Sequence, residues 1–175
     1  MKTLKLDNFD LYEYDNSLEH QEIIRRIEES DPNNYLGNIK YAITKINQRK
    51  QENPNNFVFI AYYNDYPIGY ISITYLDNKY QVSAGTLPEY RKQNLSSLLL
   101  EEFSERILDY KSIKEFIQKY DNGINSKMYE EGLTKEPIDE LVLKIDSTNA
   151  ASHKVVELVG YEQVDNTTFK RGKTK

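Results

Sequence analysis

The chain has 175 residues, 38% of them hydrophobic and 29% charged, which suits one globular domain with a core of its own and excludes a disordered chain. Lys and Arg number 23 against 28 Asp and Glu, a formal charge of −5, so attraction for nucleic-acid phosphates is not expected. With no cysteine and only His20 and His153, thiolate metal sites, disulfides, an acyl-cysteine intermediate and a histidine-rich metal site are all excluded or disfavoured. The longest apolar run, residues 57–63, is far short of the ~20 residues that span a bilayer, and the acidic N-terminal stretch does not resemble a signal peptide. A cytoplasmic protein without membrane contact is expected. The 15 tyrosines carry no chemistry by their number alone, although exposed ones are compatible with a homodimer.

Taken in chain order, residues 3–6 alternate polar and apolar as a half-buried strand does. Ile23, Ile24 and Ile27 put an apolar stripe on a helix over 18–30, ended by Asp31-Pro32. A second helix is expected after Asn38, its stripe made by Ile39, Ala42, Ile43 and Ile46, followed by a polar loop over 48–56. Residues 57–63, 68–76 and 79–87 then predict three antiparallel strands, with turns at Asn64-Asp65-Tyr66-Pro67 and Asp77-Asn78. Gly85, inside the third strand, marks a bulge or a close backbone approach.

After Pro88 the sequence EYRKQN leads into an amphipathic helix whose stripe is Leu95, Leu98, Leu99, Phe103 and Ile107. Ser112-x-x-Glu115 is a capping box for a helix bearing Ile113, Phe116 and Ile117, closed by Gly123; a short helical turn over 126–131 is also expected. A strand over 140–146, a helix from Asn149 to Val159 stopped by Gly160, and strands over 161–164 and 167–170 complete the order. In that last helix Ala151, Val155, Leu158 and Val159 form the expected buried stripe, with Asn149, Ser152 and Val156 on the neighbouring face. The fold class is therefore α+β, a single domain over 1–175 with a central mixed, mostly antiparallel sheet flanked by helices. Residues 109–139 exceed what a connection needs and read as an insertion.

The chemistry concentrates where the third of these strands meets the helix from Leu95. A helix start presents unpaired N–H groups and a partial positive charge of roughly +0.5, which suits a phosphate. Here those amides belong to Gln93, Asn94, Leu95 and Ser96, with Ser97 in the same first turn, and Arg91 and Lys92 add charge just before them. On the residues alone, a solvated basic loop remains the alternative. The face formed by Asn149 and Ser152 offers hydrogen bonds to an extended ligand, and there the alternative is an N-cap plus an ordinary helix serine.

In their order, these two elements resemble the GNAT superfamily of acyl-CoA N-acyltransferases, particularly its ribosomal-protein-alanine acetyltransferase-like branch. LPEYRKQNLSSLLLEEF is similar to the family's strand end, proline and Arg/Gln-x-x-Gly-x-Gly/Ala helix opening, with Arg91, Asn94 and Ser96 at the motif positions. NAASHKVVELVGYEQV is similar to the family's second motif at Asn149, Ser152, Glu157, Gly160 and Tyr161. The resemblance implies acetyl-CoA as cosubstrate and no metal. Its site would comprise Thr86, Leu87, Arg91, Lys92, Gln93, Asn94, Leu95, Ser96, Ser97, Asn149 and Ser152. It implies direct attack by a neutral primary amine, of a protein N-terminus or a small molecule, on the thioester, the amides near Thr86 and Leu87 steadying the carbonyl oxygen.

Two departures bear on this. Asn94 and Ser96 stand where the family has glycine; asparagine tolerates positive φ, and serine keeps a Cβ. Val156 stands where many relatives carry the tyrosine that protonates the leaving thiolate, which leaves Ser152 or an ordered water for that role. Glu89, Asp146 and His153 are the candidate bases. The 109–139 segment, with Glu115, Asp121, Glu130, Glu131 and Glu136, is expected to border the acceptor site and to favour a cationic amine. A catalytically silent acyl-CoA-binding or regulatory module of the same fold is the alternative. A nucleotide-binding protein of another kind is disfavoured, because neither Gly-x-x-x-x-Gly-Lys-Ser/Thr nor Gly-x-Gly-x-x-Gly occurs.

Overall fold

In the computed structural model, residues 3–30, 42–91, 93–120, 132–145 and 150–173 are described. Eight strands form one sheet, β1 (Thr3–Lys5), β2 (Asp10–Glu13), β3 (Asn56–Tyr63), β4 (Tyr66–Leu76), β5 (Lys79–Thr86), β6 (Glu140–Lys144), β7 (Glu162–Gln163) and β8 (Thr168–Gly172). Their order across the sheet is β1-β2-β3-β4-β5-β6-β8-β7. Every neighbouring pair is antiparallel except β5 with β6, which is parallel. The helices are α1 (Leu18–Glu29), α2 (Ala42–Glu52), α3 (Leu95–Leu108), α4 (Ile113–Tyr120) and α5 (Ala150–Leu158). The expected α+β fold with a mixed, mostly antiparallel sheet is what the chain adopts.

The period of two along β3 sends its side chains to two separate cores. Phe57, Phe59 and Ala61 face Leu99, Leu100, Phe103 and Ile107 of α3 and Phe116 of α4. Ile60 faces the other way, against Ile23, Ile24 and Ile27 of α1 and against Leu87. The turns that bring β3, β4 and β5 together are two-residue connections, Asn64-Asp65 (φ 51° and 68°) and Asp77-Asn78 (φ 54° and 61°). Two consecutive residues with positive φ give the twist an antiparallel hairpin needs, and Asn and Asp tolerate it best.

Several expectations shift. β2 is a strand the sequence reading lacks, with Leu11 fully buried between β1 and β3. The loop expected over 48–56 is helix as far as Glu52, where Gln48 Nε2 donates to Glu52 Oε1 at 2.8 Å, and Asn56 already begins β3. Tyr66 and Pro67 lie inside β4 rather than in its turn. Gly85 keeps the regular β4–β5 register, so it marks a close approach and no bulge: a Cβ there would lie 2.6 Å from Tyr70 Cε1 and 3.3 Å from Ile27 Cγ2.

The described part of 109–139 belongs to the core. Ile113, Phe116, Ile117, Leu133 and Ile138 are buried, and the Tyr80 hydroxyl donates to the Glu136 carbonyl. Half of the capping box forms, Ser112 Oγ accepting from the Glu115 amide at 3.2 Å, while the Glu115 carboxylate reaches one residue further back and accepts from the Lys111 amide at 2.6 Å. Glu115 also pairs with Lys119 at 2.8 Å. Asp121, Gly123, Glu130 and Glu131, and the turn expected over 126–131, lie outside the described residues, as does the start of the second helix before Ala42.

In α5 the stripe is rotated from expectation. Val156 and Val159 are buried against the α3 side of the sheet, whereas Leu158 is 83% exposed. Among the described residues no helix is long and apolar enough to cross a membrane.

Candidate active site

Strand β5 shares only a short parallel pairing with β6. It pairs with β6 in register only at Gln81↔Val142, near the start of β5; from Val82 to Thr86 no further pair joins the two strands among the described residues. On its other side β5 stays paired with β4 to the end, Gly69 opposite Thr86, and the Leu87 amide donates to the Ile68 carbonyl at 2.8 Å. In an antiparallel ladder the N–H groups alternate between the two sides of a strand. The Leu87 amide is thus committed to β4, and the Thr86 amide points away from β4, to the β6 side. Of the two amides expected to steady a thioester oxygen, Leu87's is already paired.

The turn that follows is a 3₁₀ segment, Pro88–Tyr90, set by proline at its first position. Gln93 Nε2 donates to the Glu89 carbonyl at 3.1 Å. Asn94 then takes the left-handed conformation, φ 59° and ψ 11°, at the N-cap of α3 and makes no side-chain cap. It occupies the backbone state for which glycine is the usual residue, and asparagine is the best L-residue for it. The first intrahelical bond among the described residues runs from the Leu98 amide to the Asn94 carbonyl at 3.2 Å, and the amides that open a helix lack intrahelical partners.

Two hydroxyls complete this corner. Thr86 Oγ1 and Ser96 Oγ are 2.9 Å apart. One shared bond uses one of their two protons and leaves the other to donate. Ser97 Oγ donates to the Asn94 carbonyl at 2.9 Å. Thr86, Leu87, Gln93, Asn94, Leu95, Ser96 and Ser97 are therefore together, where β5 hands over to α3.

Arg91 bridges that corner to α1. Its guanidinium donates to the Thr86 carbonyl and to Ser30, and the neighbouring Glu89 accepts two hydrogen bonds from Arg26 at 2.7 and 2.9 Å. The Arg26 hydrogen bond holds the Glu89 carboxyl below the usual carboxylate range, which makes it a weaker base. His153, another candidate base, lies edge-on to Phe169 with centroids 4.9 Å apart. Lys92, Asp146 and Asn149 lie outside the described residues, and of Ser152 only the place in α5 is described. Val156 is 3% exposed, buried in the core rather than facing a ligand. α5 is held to α3 by Ser104 and Tyr161, whose hydroxyls lie 2.7 Å apart.

Gly69 escaped the sequence reading. A Cβ there would lie 2.1 Å from the Gly85 carbonyl oxygen and 2.8 Å from Thr86 Cα. Only its glycine identity within an apolar strand marks it in the sequence. Among the described residues, no group of three His, Asp or Glu side chains could hold a metal.

A helix N-terminus opens at the end of β5, where the parallel β5–β6 pairing is short, and such an opening suits an anionic group. The profile of the acetyltransferase (GNAT) family matches residues 21–134, and the chain belongs to that family. It is an acyl-CoA-dependent N-acetyltransferase by class. Solved structures share the fold at low identity. An acetyltransferase from Agrobacterium tumefaciens is 11% identical with a TM-score of 0.63, covering 99% of this chain and 95% of its own. RimL, a ribosomal L7/L12 α-N-protein acetyltransferase in complex with coenzyme A, is 10% identical with a TM-score of 0.59, covering 98% of both chains. The N-acetyltransferase PseH of Campylobacter jejuni, in complex with acetyl coenzyme A, is 12% identical with a TM-score of 0.56, covering 95% of this chain and 99% of its own. Among curated proteins none matches this chain at significant similarity.

Proposed function

We propose that this protein moves the acetyl group of acetyl-CoA to a primary amine, of a protein N-terminus or a small molecule, without a covalent acyl-enzyme. The reading draws on three features at one corner: the short β5–β6 pairing, past which we read a gap, the Thr86 amide turned to the β6 side, and the α3 start with Asn94 in the left-handed state. The amides of Gln93 to Ser97 suit the coenzyme's diphosphate, with the charges of Arg91 and Lys92 nearby. The gap suits the thioester arm. In the reaction the amine lone pair forms the C–N bond at the thioester carbon, and the Thr86 amide steadies the oxyanion. The C–S bond then breaks, the thiolate gains a proton and the nitrogen loses one. Ser152, at the second motif, is the proposed proton donor to the thiolate, with an ordered water as its substitute.

A second reading, a silent acyl-CoA-binding or regulatory module, draws on the buried Val156 and on Asn94 and Ser96 in place of glycines. Calorimetric titration with acetyl-CoA, followed by thiol release against a panel of amines and N-terminal peptides, separates them. Binding with amine-dependent thiol release supports the enzyme. Binding without release on any amine supports the silent module. No binding at all removes both. A cytoplasmic location and a homodimer go with the proposal; cell fractionation and light scattering test them.

A further inference from the structure

Side chains from the turn between β5 and α3 reach across to the last turn of α1. Arg91 Nε donates to the Thr86 carbonyl at 3.2 Å, Nη1 to the Ser30 carbonyl at 3.2 Å, and Nη2 to Ser30 Oγ at 2.7 Å. The Ser30 hydroxyl gives its own proton to the Ile27 carbonyl at 2.8 Å, so its lone pairs are left for the guanidinium. Glu89 reaches Arg26 on the same turn of α1. Between these two arms Ile27 packs against Leu87 and over Gly85.

The placement has a physical cause at each end. The last carbonyls of a helix lack amide partners and carry a partial negative charge, and a planar guanidinium satisfies several acceptors at once. Ser30 is the C-cap of α1, so Arg91 closes that helix end while holding the carbonyl of the last β5 residue. Three of its five N–H groups are used this way. The turn that opens α3 is thereby tied to a helix 61 residues away in sequence.

We infer that Arg91 is a positioning residue that braces the α3 opening against α1, and that it is not a direct ligand of the coenzyme's diphosphate. The inference rests on the reading of this turn as the diphosphate site. A phosphate ligand acts mainly through charge, which lysine keeps; a brace needs the fork, which lysine lacks.

The test uses the full chain with Arg91→Ala, Arg91→Lys, Ser30→Ala and the Arg91→Ala/Ser30→Ala double variant. Coenzyme A affinity is measured by calorimetry, and amide hydrogen exchange at residues 93–97 is followed without ligand. Arg91→Lys is expected to lose affinity as Arg91→Ala does, about 3- to 10-fold for broken charge-assisted hydrogen bonds. Ser30→Ala is expected to lose about 2- to 3-fold for one such bond, and to add nothing on top of Arg91→Ala. Exchange at the turn should quicken in all of them. Full affinity in Arg91→Lys with loss in Arg91→Ala, together with a neutral Ser30→Ala and unchanged exchange, would make Arg91 a charge on the diphosphate and end the proposal. If Arg91→Ala does not fold, Arg91→Lys and Ser30→Ala decide. If the unmutated protein fails to bind coenzyme A, the coenzyme reading falls, and the exchange result alone judges the brace.

Discussion

The Thr86 hydroxyl, on the last residue of β5, lies 2.9 Å from the Ser96 hydroxyl in the first turn of α3. Thr86 is 7% exposed, so the pair closes the corner between strand and helix with little water to replace it. Thr86→Val and Ser96→Ala are each expected to lower stability by about 1 kcal/mol, and the double variant by less than their sum. A double-mutant cycle by urea unfolding reads the coupling; strict additivity would show that the bond contributes nothing.

Asn94 holds φ 59° ahead of α3. Glycine there relieves the crowding of Cβ, so Asn94→Gly is expected to gain up to about 1 kcal/mol and to keep or raise coenzyme affinity. A β-branched side chain fits the state worst, and Asn94→Val should lose both stability and affinity. Thermal melts and coenzyme titration check the pair.

Gly69 faces backbone that cannot swing aside. A Cβ 2.1 Å from the Gly85 carbonyl oxygen must push β4 and β5 apart next to Thr86. Gly69→Ala is expected to cost about 1–3 kcal/mol or more, as overpacking does, and to weaken coenzyme binding as well. Gly85→Ala would meet the side chains of Tyr70 and Ile27, which can shift, and should cost less. Equal losses at the two positions would contradict this account.

Phe116 of α4 is fully buried, its ring 6.2 Å from that of Phe59 and 5.2 Å from that of Tyr110. Phe116→Ala is expected to destabilise by about 3–4 kcal/mol through the cavity it leaves. A loss below about 1 kcal/mol on urea unfolding would show that the segment contributes little to the core.

His20 is 4% exposed, and its Nδ1 accepts the Asp15 backbone N–H at 3.2 Å. Burial pushes its pKa below the usual 6.5, against the opposing pull of Asp15 and Glu19. As pH falls below about 6.5 the unfolded chain takes up this proton before the folded one does, so stability falls with acidification and is fully present above that value. His20→Gln should flatten the slope of unfolding free energy between about pH 5 and 7. An unchanged slope would assign it to other groups.

Local patterns in the sequence carried much of the fold. The apolar, aromatic run of β3, the Asn-Asp and Asp-Asn turns, the Ile23–Ile27 stripe and the Ser112 cap on the Glu115 amide each depend on residues within a few positions of one another, and each forms. β2 escaped notice because its four residues, Asp10 to Glu13, become a strand only through pairing with β1 and β3. The α5 stripe slipped because Val156 rather than Leu158 turns towards α3, a rotation set by packing and by the Tyr161–Ser104 bond.

By itself the sequence determined where strand β5 gives way to helix α3, because backbone preferences are local; that Asn94 occupies a glycine position of this turn came from the family resemblance. Only the tertiary structure decided which groups at that corner remain open. Leu87's amide is taken by Ile68 and Arg91's guanidinium by Ser30, while Thr86's amide is turned away from β4. Those assignments turn on strand register and on a partner 61 residues distant, and hydrogen-bond competition over such separations leaves no periodic trace in a chain.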